Sequence, residues 1–375
     1  MSKNTEELVL QRPEAIVPAS DPATASKKSN MELLAERLLE GGFVLIRDEF
    51  ATGLAILMRL REYVFGSKKS AADDFQSYRS KRNVYRDASN RLLVPVEGNR
   101  IALKKAPAIG WLDELYPDMS DFFLAFPQVQ GLNSSWQWFL KGVRFPVLMH
   151  EIYPWHGTYF PTRFDHLMLF DNWLNQYSGN RAVAMDIGTG CGVLAFMLLD
   201  RGFKHVLATD INPNAVMTVR ENARHQGLDD RIEARVSNLF DSGIFDGYGR
   251  KSDLIVCNPP WLPMDPDRDT NLLDMAIYFE PDFFDRFFSE AGRCLNENGR
   301  LVVLFSNLGQ SAGMEAVHPV EEELKNNRRF GKVRMLQRKA KAPSKKTRRR
   351  DHRKDEVVEL WELRFLSAGL PGRRL

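Results

Sequence analysis

The run Asp253-Leu254-Ile255-Val256-Cys257-Asn258-Pro259-Pro260-Trp261 carries the most specific chemistry in this 375-residue chain. An apolar segment of strand type ends in an amide, two prolines and an indole. Proline fixes φ and has no N–H of its own. The Asn258 amide oxygen and the Pro259 carbonyl can therefore accept both hydrogens of a planar NH₂ group. That grip turns the nitrogen lone pair out of conjugation, and Trp261 offers a flat face on which the group can stack. Such chemistry suits an amide or an exocyclic aromatic amine, and strand ends are where open α/β sheets bind ligands.

A second motif precedes it. Asp186-Ile187-Gly188-Thr189-Gly190-Cys191-Gly192 joins a strand over 182–187 to a helix over 192–201. Alternate glycines let backbone come close to a ligand without Cβ clashes. A dinucleotide site wants G-x-G-x-x-G, with pyrophosphate resting on the helix N-terminus. Here position 193 is Val, and Asp186 would repel a pyrophosphate while suiting the ammonium of a methionine moiety. Asp210 ends the next strand, 22 residues after Gly188, where a carboxylate can accept from both hydroxyls of a ribose. Together these residues point to S-adenosylmethionine as cofactor and away from a dinucleotide oxidoreductase.

On Asp186-x-Gly188-x-Gly190-x-Gly192 and Thr209-Asp210-Ile211-Asn212-Pro213 the chain resembles the class I S-adenosylmethionine-dependent methyltransferases. The resemblance implies an α/β fold with a Rossmann-like seven-stranded sheet whose last strand is antiparallel. It also implies cofactor contacts at Asp186, Gly188, Thr189, Gly190, Gly192 and Asp210. Ile211 would pack on adenine. Asn238 stands where the family often has an Asp that accepts from the adenine amino group. The Asn258-Pro259-Pro260-Trp261 box resembles the (N/D)PP(Y/F/W) box of amine and amide N-methyltransferases, among them the release factor glutamine methyltransferases and the rRNA or DNA amine methyltransferases. These four residues are the catalytic candidates that follow from it. Thr162-Arg163-Phe164-Asp165 is similar to the Pro-Arg-Pro-Glu segment of the release factor branch, which helps close over the cofactor. The resemblance covers roughly residues 153–365.

These motifs need a frame to hold them. Strands and helices alternate from about residue 151 to 365, a pattern that favours a mostly parallel sheet with helices on both faces. Phe145 to Tyr153 reads as a strand, and Phe283, Phe284, Phe287 and Phe288 as a core-facing stripe of the helix over 281–295. Upstream, residues 29–150 read as a mixed α/β accessory domain for acceptor selection. It has helices near 30–40 and 54–64, a polar stretch over 67–90, a hairpin over 92–103 and a helix over 111–126. Residues 1–28 lack periodicity and read as a disordered arm.

Composition sets bounds on partners. Hydrophobic residues are 43% and charged residues 27%, ordinary for a globular chain. Three dispersed cysteines exclude a disulfide scaffold or a Cys-based zinc site, and seven scattered histidines give no metal site. Cys191 and Cys257 read as small packing residues. No apolar run is long enough for a membrane span, and there is no signal pattern, so the expected setting is cytoplasmic. Net charge is +3, yet Arg338 to Lys354 holds ten Lys or Arg against one Asp, a local +9. This basic loop would leave a strand end beside the site and could contact nucleic acid phosphates or an acidic protein. The expected activity is N-methylation of a planar NH₂ group, in a protein or peptide glutamine or in RNA. A small natural-product amine is the alternative acceptor. A non-catalytic binding protein that keeps the fold is the alternative from another class.

Overall fold

A computed structural model describes residues 8–66, 75–241, 251–264, 275–311, 313–314, 317–341 and 355–366. The chain divides into two compact units, Leu10–Leu140 and a second made of Lys141–Leu375 with Met1–Val9. The division falls ahead of the boundaries expected from composition, 29 and 150.

The N-terminal unit is built on a five-stranded sheet. Its strands are β1 (Ala23–Ala25), β2 (Val44–Ile46), β3 (Leu92–Glu97), β4 (Arg100–Ile101) and β5 (Phe122–Ala125). The described part of the expected disordered arm is ordered. Ala23–Ala25 pairs in parallel with Val44–Ile46, Ile16 N–H donates to the Phe123 carbonyl, and Arg12 pairs with Asp118 and donates to the Leu115 carbonyl. Backbone pairing with a sheet edge needs no apolar periodicity, so composition could not reveal it. The polar stretch over 67–90 contains a helix at Phe75–Ser89, and Phe122–Ala125 is a strand inside the expected helix over 111–126. Antiparallel pairing with Leu93–Val96 of β3 wins there over helical propensity.

In the second unit, seven strands lie in one sheet. They are β6 (Val183–Ile187), β7 (His205–Asp210), β8 (Ile232–Val236), β9 (Ser252–Cys257), β12 (Leu295–Ser306), β13 (Phe330–Lys339) and β14 (Val357–Phe365), while β10 (Leu262–Pro263) and β11 (Tyr278–Phe279) form a separate parallel pair. The order is β13-β14-β12-β9-β6-β7-β8. β14 runs antiparallel to both its neighbours and the other pairings are parallel. This is the seven-stranded arrangement with an antiparallel last strand. Phe145–Tyr153 does not join the sheet; it makes only an isolated bridge, Val143 to Ile152.

Register decides what meets at the edge. Ile187 lies opposite Cys257 on one side and Thr209 on the other. Gly188 and Asn258, the first residues beyond β6 and β9, and Asp210, the last of β7, therefore meet at three adjacent strand ends. Asp253 sets one register from the far edge: its Oδ2 accepts from Ala182 N at 2.9 Å and Val183 N at 3.1 Å. The helix Val193–Asp200 follows the glycine loop and is apolar on all sides, with Val193 to Leu199 buried. The stripe of the helix Phe283–Cys294 buries Phe284, Phe287 and Phe288 in the core on the opposite face of the sheet. Among the described residues, no helix is long and apolar enough to cross a membrane.

Candidate active site

A cavity opens over the carboxyl edge of the sheet. Gly188, Thr189 and Gly190 line it, as do Asp210, Ile211, Asn238, Asn258, Pro259 and Pro260. The glycine loop is shaped by its own bonds. Gly188 and Thr189 both donate their N–H to the Thr209 carbonyl at 2.8 Å. Gly188, Gly190 and Gly192 have φ of +71°, +53° and +85°, the left-handed region that glycine enters without Cβ cost. A Cβ on Gly188 would meet nothing within 4 Å, so this glycine leaves space for a ligand. A Cβ on Gly190 would come within 3.1 Å of the Tyr159 carbonyl oxygen.

Asp210 accepts from Gly190 N at 2.8 Å through Oδ2 and from Asn212 N at 2.9 Å through Oδ1. Burial pushes its carboxyl above the usual range, against the pull of these N–H bonds. Each oxygen keeps lone-pair capacity toward the cavity. Ile211 is 37% exposed, an apolar face left open at the cavity wall. Asn238 also lines the wall, its backbone N–H held by Asp241 Oδ2 at 3.0 Å, with the side chain exposed.

Two expected contacts fall elsewhere. Asp186 is 0% exposed and absent from the described wall. Its Oδ2 accepts from Thr189 Oγ1 at 2.6 Å and Ala195 N at 3.1 Å, so it ties the loop to the helix behind it. Burial pushes this carboxyl up to about 7, with the Asp210 charge adding to the rise. Gly192 faces the core: its Cβ would lie 2.9 Å from Val219 and 3.0 Å from Phe196. It starts the helix and does not line the cavity. Cys191 and Cys257 are buried, and burial raises both thiols, Cys191 to about 12. They stay protonated, as packing residues should.

Asn258 and Pro259 also form part of a second cavity, lined further by Trp261, His166, Arg163, Asp165 and Glu356. Trp261 belongs to this cavity and not to the described wall of the first. Its ring meets that of His166 edge-to-face, centroids 5.4 Å apart. Burial lowers His166 to about 4, so the imidazole is neutral at pH 7. Asn258 Oδ1, Trp261 Nε1 and His166 Nε2 are buried and have no hydrogen-bond partner among the described residues.

Asp165 was expected near the site through the resemblance of residues 162–165 to a closing segment. With Arg163 it lines the second cavity, bonded to the ends of the β13–β14 connection. Arg163 pairs with buried Glu356 and donates to the Lys341 carbonyl at 2.6 Å. Asp165 accepts from Lys341 N at 3.2 Å and lies 3.7 Å from Arg338 Nε. The basic run thus begins at the second cavity; its residues 342–354 lie outside the described residues.

Composition-based reading missed the segment 153–161, which supplies Gly157, Tyr159 and Pro161 to the first cavity. The helix Pro213–His225 holds it through buried polar side chains. Asn222 Oδ1 accepts from Tyr153 N at 2.9 Å, Thr218 Oγ1 from Trp155 N at 2.9 Å, and Asn214 Nδ2 donates to the His156 carbonyl at 2.7 Å. A signal existed: Asn214, Thr218 and Asn222 recur every four residues, a polar stripe on one helix face. Among the described residues, no group of His, Cys, Asp or Glu could hold a metal ion.

Residues 167–334 match the methyltransferase small domain family. The release factor glutamine methyltransferase of Cereibacter sphaeroides is 38% identical over 85 residues, 22% of this chain and 29% of that one. The ribosomal protein uL3 glutamine methyltransferase of Francisella tularensis is 30% identical, over 39% of this chain and 48% of its own. The tRNA1(Val) (adenine(37)-N6)-methyltransferase of Cytophaga hutchinsonii is 28% identical, over 32% and 50%. The chain spans half or less of the length of these three relatives.

Proposed function

We propose that this chain, whose residues 167–334 are a methyltransferase small domain of the class I kind, is an S-adenosylmethionine-dependent N-methyltransferase acting on a planar NH₂ group. One observation carries the reading. Asn258 Oδ1 is a buried acceptor without a partner among the described residues, on a wall shared with the glycine loop and Asp210. A buried amide oxygen left unpaired costs about 1–3 kcal/mol, and a bound N–H would recover that loss.

S-adenosylmethionine supplies an electrophilic methyl group. The residues on the wall fit it: Asp210 has lone pairs for ribose hydroxyls, Ile211 an apolar face for adenine, Asn238 an exposed amide for its amino group, and Gly188 an open approach. Asp186 acts on the cofactor only indirectly, by fixing the loop. On the acceptor side, Asn258 Oδ1 and the Pro259 carbonyl orient the NH₂ group. The rate gain comes from alignment and exclusion of water, with no covalent enzyme intermediate.

A protein or peptide glutamine is the first acceptor class, supported by the Arg163-x-Asp165 segment and by the names of two relatives. RNA is the second, supported by the basic run rooted at the second cavity and by the tRNA-modifying relative. The test is to incubate the protein with labelled S-adenosylmethionine and cell extract. Protease-sensitive label supports the first class and ribonuclease-sensitive label the second. Calorimetry that found NAD binding in preference to S-adenosylmethionine would end the reading altogether.

A further inference from the structure

The two cavities share Tyr159, Pro161, Asn258, Pro259 and Ala276. On the second, the charged side chains are engaged with one another: Arg163 with Glu356, and Asp165 with Lys341 N–H and Arg338. What remains is a set of buried polar atoms without partners among the described residues, on Asn258, Trp261 and His166. Native proteins leave few such groups, and each calls for an explanation. Here the three residues that carry them line one cavity.

Their chemistry is complementary. The Asn258 amide oxygen only accepts, and the indole Nε1–H only donates. Two prolines of fixed φ separate the residues, so the backbone that carries acceptor and donor is stiff. A ligand that satisfies both presents a donor together with an acceptor, as the H–N–C=O edge of a carboxamide or the H–N–C=N edge of an amino-heterocycle does. His166 is 3% exposed and braces the indole edge-to-face at 5.4 Å.

Building on the methyltransferase reading, we infer that Trp261 determines acceptor specificity as a hydrogen-bond donor: its Nε1–H reads the lone pair beside the reacting NH₂, and His166 is the positioning residue that fixes the indole. Alkyl amines, which lack that lone pair, are rejected because the indole N–H would stay buried and unpaired.

The test uses the full chain with ¹⁵N-labelled tryptophan. The Trp261 indole resonance is identified by its loss in Trp261→Phe, or in Trp261→Tyr should the first fail to fold. The protein is titrated, with S-adenosylhomocysteine present, with propionamide, cytidine and propylamine in turn. A downfield shift of that resonance with propionamide or cytidine, and none with propylamine, is expected. Propionamide alone would point to a carboxamide source, cytidine alone to a nucleobase. In His166→Ala the resonance should remain while the probe-induced shift is lost. No shift with any probe, or an equal shift with propylamine, overturns the inference. Calorimetry with S-adenosylmethionine on the same sample separates the two levels. Cofactor binding with a silent titration removes only the role of Trp261; absence of cofactor binding removes the methyltransferase reading.

Discussion

The two walls that meet at Asn258 are held in different ways. The glycine-loop wall is tied together by its acceptors: Asp210 takes two backbone N–H bonds, Asp186 Oδ2 takes the Thr189 hydroxyl and Ala195 N–H, and Thr209 O takes Gly188 and Thr189, while Asp186 Oδ1 and Thr209 Oγ1 are buried without partners among the described residues. The wall of the second cavity leaves Asn258 Oδ1, Trp261 Nε1 and His166 Nε2 without partners among the described residues. The first is shaped before any ligand arrives, as preorganised sites are. The second is complementary to a ligand and costs stability until one binds. Changes on the first wall should therefore move cofactor affinity and stability, and changes on the second should move turnover.

The sharpest break in that contrast is Asn258→Ala. It leaves the acceptor group's N–H unpaired and its lone pair misaligned, so single-turnover methyl transfer should fall by on the order of a hundredfold or more. Cofactor affinity by calorimetry should barely change. Near-normal turnover would mean that this box does not grip a planar amine.

Asp210→Ala tests the other wall. It removes a carboxylate from the cavity and two acceptors from the loop. S-adenosylmethionine binding should weaken by ~1.5–3 kcal/mol. Unchanged affinity would place the ribose contact elsewhere.

Asp186 makes a pH prediction. Its folded-state carboxyl lies at about 7 against an ordinary 3.8. A raised carboxyl means the folded state holds a proton that the unfolded chain has released. The stability contribution is full below about pH 4 and is lost as pH rises through about 7. Unfolding of the cofactor-free protein should thus show stability falling between about pH 4 and 7, by on the order of 2 kcal/mol or more. Asp186→Asn should flatten this slope; an unaltered slope would show that another group causes it.

The smallest effects divide two glycines of one loop. Gly192→Ala puts a Cβ against Val219 and Phe196 at φ +85°, and should lower stability by about 1–3 kcal/mol, read from thermal or denaturant unfolding. Gly188→Ala meets open space at φ +71°. It should cost stability less and cofactor affinity more. The reverse outcome would exchange their roles.

Motif chemistry was legible in the order of residues because it depends on local spacing. Asp186 through Gly192, Asp210 and Asn258 through Trp261 lie at strand ends that apolar runs mark, and the alternation of strands and helices implied a parallel sheet. The antiparallel last strand came with the family resemblance. Burial was not legible. Asp186 and Gly192 belong to the same motif as Gly188 but turn away from the cavity, because side-chain direction in a tight loop depends on φ and on what packs behind it. The ordered stretch around Ala23–Ala25 was also hidden, since its partners are backbone groups of distant strands.

What the sequence determined alone is therefore the set of reactive groups and their order along the chain: an amide before two prolines, a carboxylate at a strand end, glycines where backbone must come close. Tertiary structure decided which of these share a wall. Register puts Gly188, Asp210 and Asn258 at three neighbouring strand ends. Bonds spanning 176 to 193 residues of chain bring Asp165 and Arg163 to Lys341 and Glu356. The pairing of Trp261 with His166 likewise depends on how a helix packs beside a loop. Local spacing constrains neighbours within a few residues, whereas such contacts are selected by the packing of the whole core.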